Sequence, residues 1–385
     1  MMRTCRLFGV AVLLVAGTLA MGTSVGASAS TNLTCATQLV STWTLPQLAN
    51  ETIAVPVYAT NIGAMGPAAR AGYGGLLLFG TVAPPTLAPI LATLQRERPG
   101  HYALVVMTDE EGGGVERLTN IVGSFPWAQT MGKNLSATQI TVIGKRIGLK
   151  LLSAGVNTDL APVLDVDARA EEPGASNPDG YRSFSGNPLV AASDGTAFMR
   201  GLDEAGVLSV VKHFPGLGYA TRNTDYGPAN TLSWAKLQTT GLVPFRQAID
   251  NGATAVMMSN ARVPGLSSLP AGLSPVVVQV LRKTLGFTGL IVTDSLSAGA
   301  ISALHLAEPA ASVMAIAAGD DLILYGSPSS TSASLALASK ISSAIVNAVN
   351  AGTISRATLI SAAAQVLAAR NQVACPSSTT TTSTT

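Results

Sequence analysis

The sequence predicts an α/β protein, a single-domain (β/α)8 TIM-type barrel, and two observations carry that prediction. Eight short β-branched or aliphatic runs follow one another along the chain, separated by segments suited to crossover helices. Polar residues then stand at the carboxyl ends of five successive runs, the face on which such barrels place their chemistry.

The runs are residues 52–58, 74–80, 102–109, 156–166, 207–214, 253–260, 289–296 and 321–326. They are continuously apolar rather than alternating, as "GGLLLFG" and "GLIV" show, which marks strands buried on both faces of a parallel sheet. Segments 191–205, 233–251 and 275–285 suit crossover helices, with starts signalled by Ser193-Asp194, Ser233 and Ser274-Pro275. An open doubly wound sheet is the alternative, and it more often has fewer strands.

The two ends read differently from the middle. Arg3 and Arg6, the uncharged run 7–21 and the small residues Ala27-Ser28-Ala29 make residues 1–29 a secretory signal peptide. Its removal takes away two arginines and no acid, leaving 21 basic against 21 acidic side chains. With 11% charged residues and no basic run, the chain is not built for nucleic acid or for an anionic membrane surface. No stable membrane insertion is expected once the signal is gone. The barrel domain spans residues 30–375, and the Ser/Thr-rich tail 376–385 has no apolar residue to bury and reads as disordered. Cys35 and Cys375 flank the domain, and in an oxidising compartment a disulfide between them is the natural pairing. The chain is therefore expected outside the cell or on its wall.

At the strand ends stand Asp109-Glu110-Glu111, Asp165 and Asp167, Lys212-His213, Ser259-Asn260, and Asp294-Ser295. No cofactor or metal is called for. There are three histidines, no H-x-x-x-H and no cysteine cluster. Asp165, Asp167, Glu171 and Glu172 would suit calcium, but a solvated acidic loop is the favoured reading. "EEGGGVER" lacks the spacing of a phosphate loop, and no G-x-S-x-G elbow occurs. Carboxylates that accept from hydroxyls, beside Lys, Arg and His that donate, suit a polyhydroxylated substrate. A glycosidase needs two reacting groups across the scissile bond, and Asp294, directly after an apolar strand, has the rigid seat a nucleophile needs.

The motifs "TDEEGGGVERL", "LAPVLDVD", "GYRSF", "VKHFPGLG" and "GLIVTDSLSAGA" occur in the order seen in glycoside hydrolase family 3. Over residues 50–370 the chain resembles that family's single-barrel β-N-acetylhexosaminidase branch. The resemblance implies a retaining double displacement with Asp294 as nucleophile. It also implies sugar binding by Asp109, Arg117, Arg182, Lys212 and His213. His101, opening strand three, is read as structural.

One loop departs from the pattern. Where the branch has a histidine in K-H-F-P-G-H-G, this chain has Leu217, and Asn223 and Asp225 replace the aspartate and histidine of its acid/base dyad. Two readings follow. In one, Asp225 carries the proton and Asn223 positions it; in the other, the protein binds glycans without cleaving them. His305, reaching in from the segment after strand seven, is a lesser candidate expected on an outer helix. The favoured function is a secreted retaining exo-β-glycosidase acting on terminal β-linked N-acetylhexosamine or a related sugar.

Overall fold

A computed structural model describes residues 24–326 and 329–369. Cys375, the tail 376–385 and most of the expected signal segment lie outside the described residues. Seven parallel strands form one sheet in chain order. They are β1 (Ala54–Tyr58), β2 (Gly75–Phe79), β3 (Val105–Thr108), β4 (Thr158–Asp159), β5 (Leu208–Phe214), β6 (Ala255–Met258) and β7 (Leu290–Thr293). The expected eighth strand is not a ladder. Residues after Asp321 instead make two single parallel bridges, Val292 to Leu322 on one edge of the sheet and Ile53 to Ile323 on the other. Segment 156–166 is also shorter as a strand than expected. Pro162 has no N–H to give a ladder, and beyond Asp159 one bridge, Val163 to Lys212, is all that continues the pairing.

Alternate residues of each strand explain the continuous apolar runs. Leu77, Val105, Met107, Leu160, Val210, Met257 and Val292 join Leu322 and Leu324 in one buried cluster. Their sequence neighbours Leu76, Leu78 and Val106 pack into the cluster under one group of helices, and Val211, Val256 and Ile291 into another. Each such side chain removed from water contributes roughly 1.5–3 kcal/mol. Polar residues on either face of these strands would forfeit that, so the apolar pattern has period one.

The helix Pro188–Ala205 starts before the expected Ser193-Asp194, which lie inside it. Asn187 is the cap, its side-chain oxygen accepting the Leu189 N–H at 2.9 Å, with Pro188 as the first helical residue. Ser233 and Ser274 do cap their helices, each accepting an N–H three residues on. Segment 233–251 holds two short helices, Trp234–Leu237 and Leu242–Asp250. Helix Thr331–Asn350 is long and apolar enough to cross a membrane by length and composition. It nonetheless packs Ala338, Ile341, Ile345 and Ala348 into the core. At the ends of the chain, helix Ser24–Val40 lies on helix Arg356–Ala368, with the Asn32 amide donating to the Ala368 carbonyl at 2.9 Å. Cys35 on that first helix is buried and disulfide-bonded.

Candidate active site

A cavity of about 170 Å³ opens at the carboxyl ends of the strands. Asp109, Arg117, Arg182, Lys212, His213, Asn223, Asp225 and Asp294 all line it, together with Leu77, Phe79 and Leu217. All eight residues read from the sequence as catalytic or sugar-binding are therefore in one place. His101 and His305 are not. His101 is exposed at the end of the 3-10 helix Pro99–His101 before β3, and His305 is exposed in a turn after the short helix Gly299–Ser302 rather than on an outer helix.

Glu111, read from the sequence only as part of a polar strand end, ties together two of the residues that line the cavity, Arg182 and Lys212. It lies on a small antiparallel ribbon, Glu110–Gly112 paired with Val115–Glu116, that immediately follows β3. Arg182 grips it with Nε at 2.7 Å and Nη2 at 2.9 Å. Lys212 Nζ reaches it at 2.6 Å and Asp109 Oδ1 at 2.8 Å. Burial alone would push the Glu111 carboxyl up, but the Arg182 and Lys212 charges overturn this and hold it well below the usual range. Burial likewise disfavours the Lys212 charge, and Asp109 and Glu111 more than compensate, raising its pKa. After these bonds Lys212 keeps one N–H. Arg182, whose Nη1 also donates to the Pro178 carbonyl at 2.8 Å, keeps two. Arg117 stands over the Phe79 ring, 3.8 Å from Asp109.

Lys212 and His213 are sequence neighbours, yet both line the cavity. The register between β5 and β6 shifts between Val211 and Phe214, which breaks the usual alternation of side chains. His213 Nδ1 meets Asp165 Oδ2 at 2.6 Å. Burial, with the nearby Arg182 charge, lowers the imidazole pKa to about 4. The ring is thus neutral, with Nδ1–H donated to Asp165 and Nε2 left as an acceptor. Asp165 is fully buried and takes backbone N–H groups from His213 and Leu217, so the sequence reading of a solvated acidic loop is wrong for it. It is also wrong for Asp167, buried and paired with Arg169 at 2.5 Å. Asp165, Asp179 and His213 form a close buried trio. Burial and the Asp165 charge raise the Asp179 pKa well above the usual carboxylate range. Asp179 was not singled out in the sequence. Only its proximity in space to Asp165 reveals it.

Asp294 follows β7. Its backbone N–H donates to the Met258 carbonyl at 3.1 Å, and its own Oδ1 accepts the Ser295 N–H at 2.7 Å. Burial raises its pKa, and the Asp225 charge adds to the rise. Asp225 itself is exposed at the rim. Asn223 Oδ1 accepts the Asp225 backbone N–H at 3.0 Å, so Asn223 shapes the turn rather than touching the carboxylate. Leu217, at the place of the branch's first loop histidine, is buried with Ala220, Ala229 and Ala261 in a small apolar cluster. Across this cavity the Asp294 carboxylate, a second carboxylate at the rim and a set of directed donors face one small space.

The model for the glycosyl hydrolase family 3 N-terminal domain matches residues 69–369. An uncharacterized secreted glycosyl hydrolase of Arthroderma benhamiae is 34% identical over 293 residues, covering 73% of this chain and 80% of that protein. The beta-hexosaminidase LpqI of Mycobacterium tuberculosis is 32% identical over 233 residues, 59% of each chain, so less than two thirds of that relative is matched. A solved structure of a β-N-acetylhexosaminidase from Beutenbergia cavernae has a TM-score of 0.75 at 30% identity, covering 86% of this chain and 99% of that one. With the family model spanning most of its length, the chain belongs to glycosyl hydrolase family 3, in its single-domain β-N-acetylhexosaminidase-like branch.

Proposed function

We propose that this glycoside hydrolase is a secreted or cell-envelope retaining exo-β-glycosidase that removes terminal β-linked N-acetylhexosamine. Its scaffold is a (β/α)8 barrel closed by residues 322–324. The observation that carries the reading is that Asp294 and Asp225 line the same small cavity. The cavity is smaller than the roughly 300–1,000 Å³ of drug-sized sites, which suits one terminal sugar rather than an internal stretch of glycan. The names of the relatives support N-acetylhexosamine, and the amino-terminal signal pattern supports export.

In the first step Asp294 Oδ2 attacks the anomeric carbon while Ser295 holds Oδ1. The C1–O bond to the leaving group breaks, and Asp225 gives its proton to the departing oxygen. Water then attacks C1 and gives a proton back to Asp225, and the bond from C1 to Asp294 breaks. The free N–H groups of Lys212 and Arg182 donate to ring hydroxyls. His213 Nε2 and Asp109 accept from them.

The test is incubation with an activated 5-fluoro N-acetylhexosaminyl donor or a 2-deoxy-2-fluoro hexosyl donor, followed by intact mass and peptide mapping. One covalent sugar on Asp294 is expected, and none in Asp294→Asn. Absence of an adduct across several fluorosugars, with glycan still bound, would leave the non-hydrolysing binder as the better reading.

A further inference from the structure

Resting on the reading of Asp225 as the acid, we infer that Gly299 is a positioning residue that fixes Asp225 relative to Asp294. Segment 294–300 presents the nucleophile at one end and grips the acid loop at the other. The Gly299 N–H donates to the Asp225 carbonyl at 3.0 Å, and the Ala300 N–H donates to the Thr224 carbonyl at 2.9 Å. The glycine is needed for space, not for a left-handed backbone. A Cβ at position 299 would lie 2.8 Å from the Asp225 oxygen, 2.8 Å from the Gly227 nitrogen and 2.8 Å from the Tyr226 carbonyl carbon. All three are backbone atoms of the acid loop, so any side chain at 299 must push that loop away.

The segment between the two carboxylates has little freedom of its own. Leu296 N–H donates to the Leu324 carbonyl at 3.0 Å, and the Asn260 amide donates to the Ser295 carbonyl at 2.7 Å. Ala298 N–H donates to the Ser295 carbonyl at 3.1 Å, and Ser297 Oγ accepts the Gly326 N–H at 3.0 Å. From the other side the loop is held where Asn223 N–H donates to the Ala175 carbonyl at 3.0 Å, and Thr224 is buried. Five residues of pinned backbone therefore set the separation of nucleophile and acid. In a two-carboxylate mechanism that separation governs how the leaving group is protonated.

The experiment compares Gly299→Ala, Ala300→Pro and Asp225→Asn with the parent. Gly63→Ala serves as a control, because nothing lies within 4 Å of a Cβ there. Ala300→Pro removes one gripping N–H in the first turn of a helix, where proline is tolerated. Turnover is measured on a β-linked disaccharide and on a dinitrophenyl glycoside, whose leaving group needs no proton, with the rate of fluorosugar labelling as a third readout. Gly299→Ala should lose on the order of 10²-fold on the disaccharide, the usual effect of misplacing a catalytic group by about an ångström. It should keep the parent's burst on the aryl glycoside and its labelling rate. Ala300→Pro should show the same selectivity, and Gly63→Ala should show neither loss. If Asp225→Asn is selective by leaving group while both gripping variants behave as the parent or lose all substrates alike, the positioning role is overturned and the acid assignment stands. If Asp225→Asn is not selective, the acid assignment falls and takes the positioning role with it. Loss of folding or labelling in both gripping variants also overturns the inference, since the segment would then support the cavity as a whole.

Discussion

Glu110 and Glu111 are adjacent and both buried, yet their charges differ. Glu111 has two cations in contact. Glu110 has none, only backbone N–H donors from Arg117 and Leu118, so desolvation prevails and raises its pKa from 4.5 to about 8. A carboxyl whose folded pKa lies above its unfolded value contributes stability that is complete below about pH 4.5 and is lost as pH rises through about 8. Glu110→Gln keeps the acceptor oxygen and cannot ionise. Its thermal midpoint should gain on the parent's as pH rises from about 5 to about 9. A constant offset across that range would show that Glu110 does not titrate there. At this scale the sequence was informative about residues whose chemistry is local. Asp294 at a strand end and Lys212-His213 at the break of another were legible because an apolar run ending in a polar residue is visible in one dimension. Glu111, Asp165 and Asp179 were not assigned roles. What Glu111 does is set by Arg182 and Lys212, and what Asp165 and Asp179 do by His213, partners that are tens of residues away along the chain and meet them only on folding.

At the scale of elements, the β5 loop explains what its unusual sequence does. Leu217 is 2% exposed, and its backbone N–H is held by Asp165 at 2.5 Å while its side chain fills the cluster with Ala220, Ala229 and Ala261. The three alanines packed on the leucine offer an imidazole no hydrogen-bond partner on that side. Burying an unpaired polar group costs about 1–3 kcal/mol, so Leu217→His should lower the denaturation midpoint by that free energy without raising activity. Increased turnover, or an unchanged midpoint, would show that the loop still accommodates the branch's histidine. Helices and strands here were largely readable from apolar period and caps. The exceptions have local causes: Pro162 ends a strand early, Asn187-Pro188 starts a helix early, and the ribbon Glu110–Glu116 follows a strand without any break in polarity. The two-bridge seam at residues 322–323 has the composition of a strand, and only its partners distinguish it from one.

At the scale of the molecule, the chemistry and the ties between the chain ends sit at opposite mouths of the sheet. Asp294 and Asp225 line the cavity at the strands' carboxyl ends. Ala369 instead lies beside Val105, Thr158, Leu208 and Thr254, at the strands' starts, and helix Ser24–Val40 packs on the helix that leads to it. Cys35 is disulfide-bonded on that first helix, and Cys375, six residues beyond Ala369, is the partner we propose for it. A bridge closing about 340 residues restrains the unfolded chain, and the chain-entropy model puts its contribution at roughly 3–5 kcal/mol. Non-reducing peptide mapping should recover one peptide joining Cys35 to Cys375, and Cys35→Ser should lower the denaturation midpoint by a free energy in that range. Because the bridge lies at the mouth away from Asp294, kcat and KM on an aryl glycoside should match the parent's at temperatures where both are folded. A Cys35 peptide joined to Cys5 would refute the pairing. A change in kcat with no change in midpoint would refute the separation of the two mouths, since it would mean that strain at the chain ends is transmitted through the strands to Asp294.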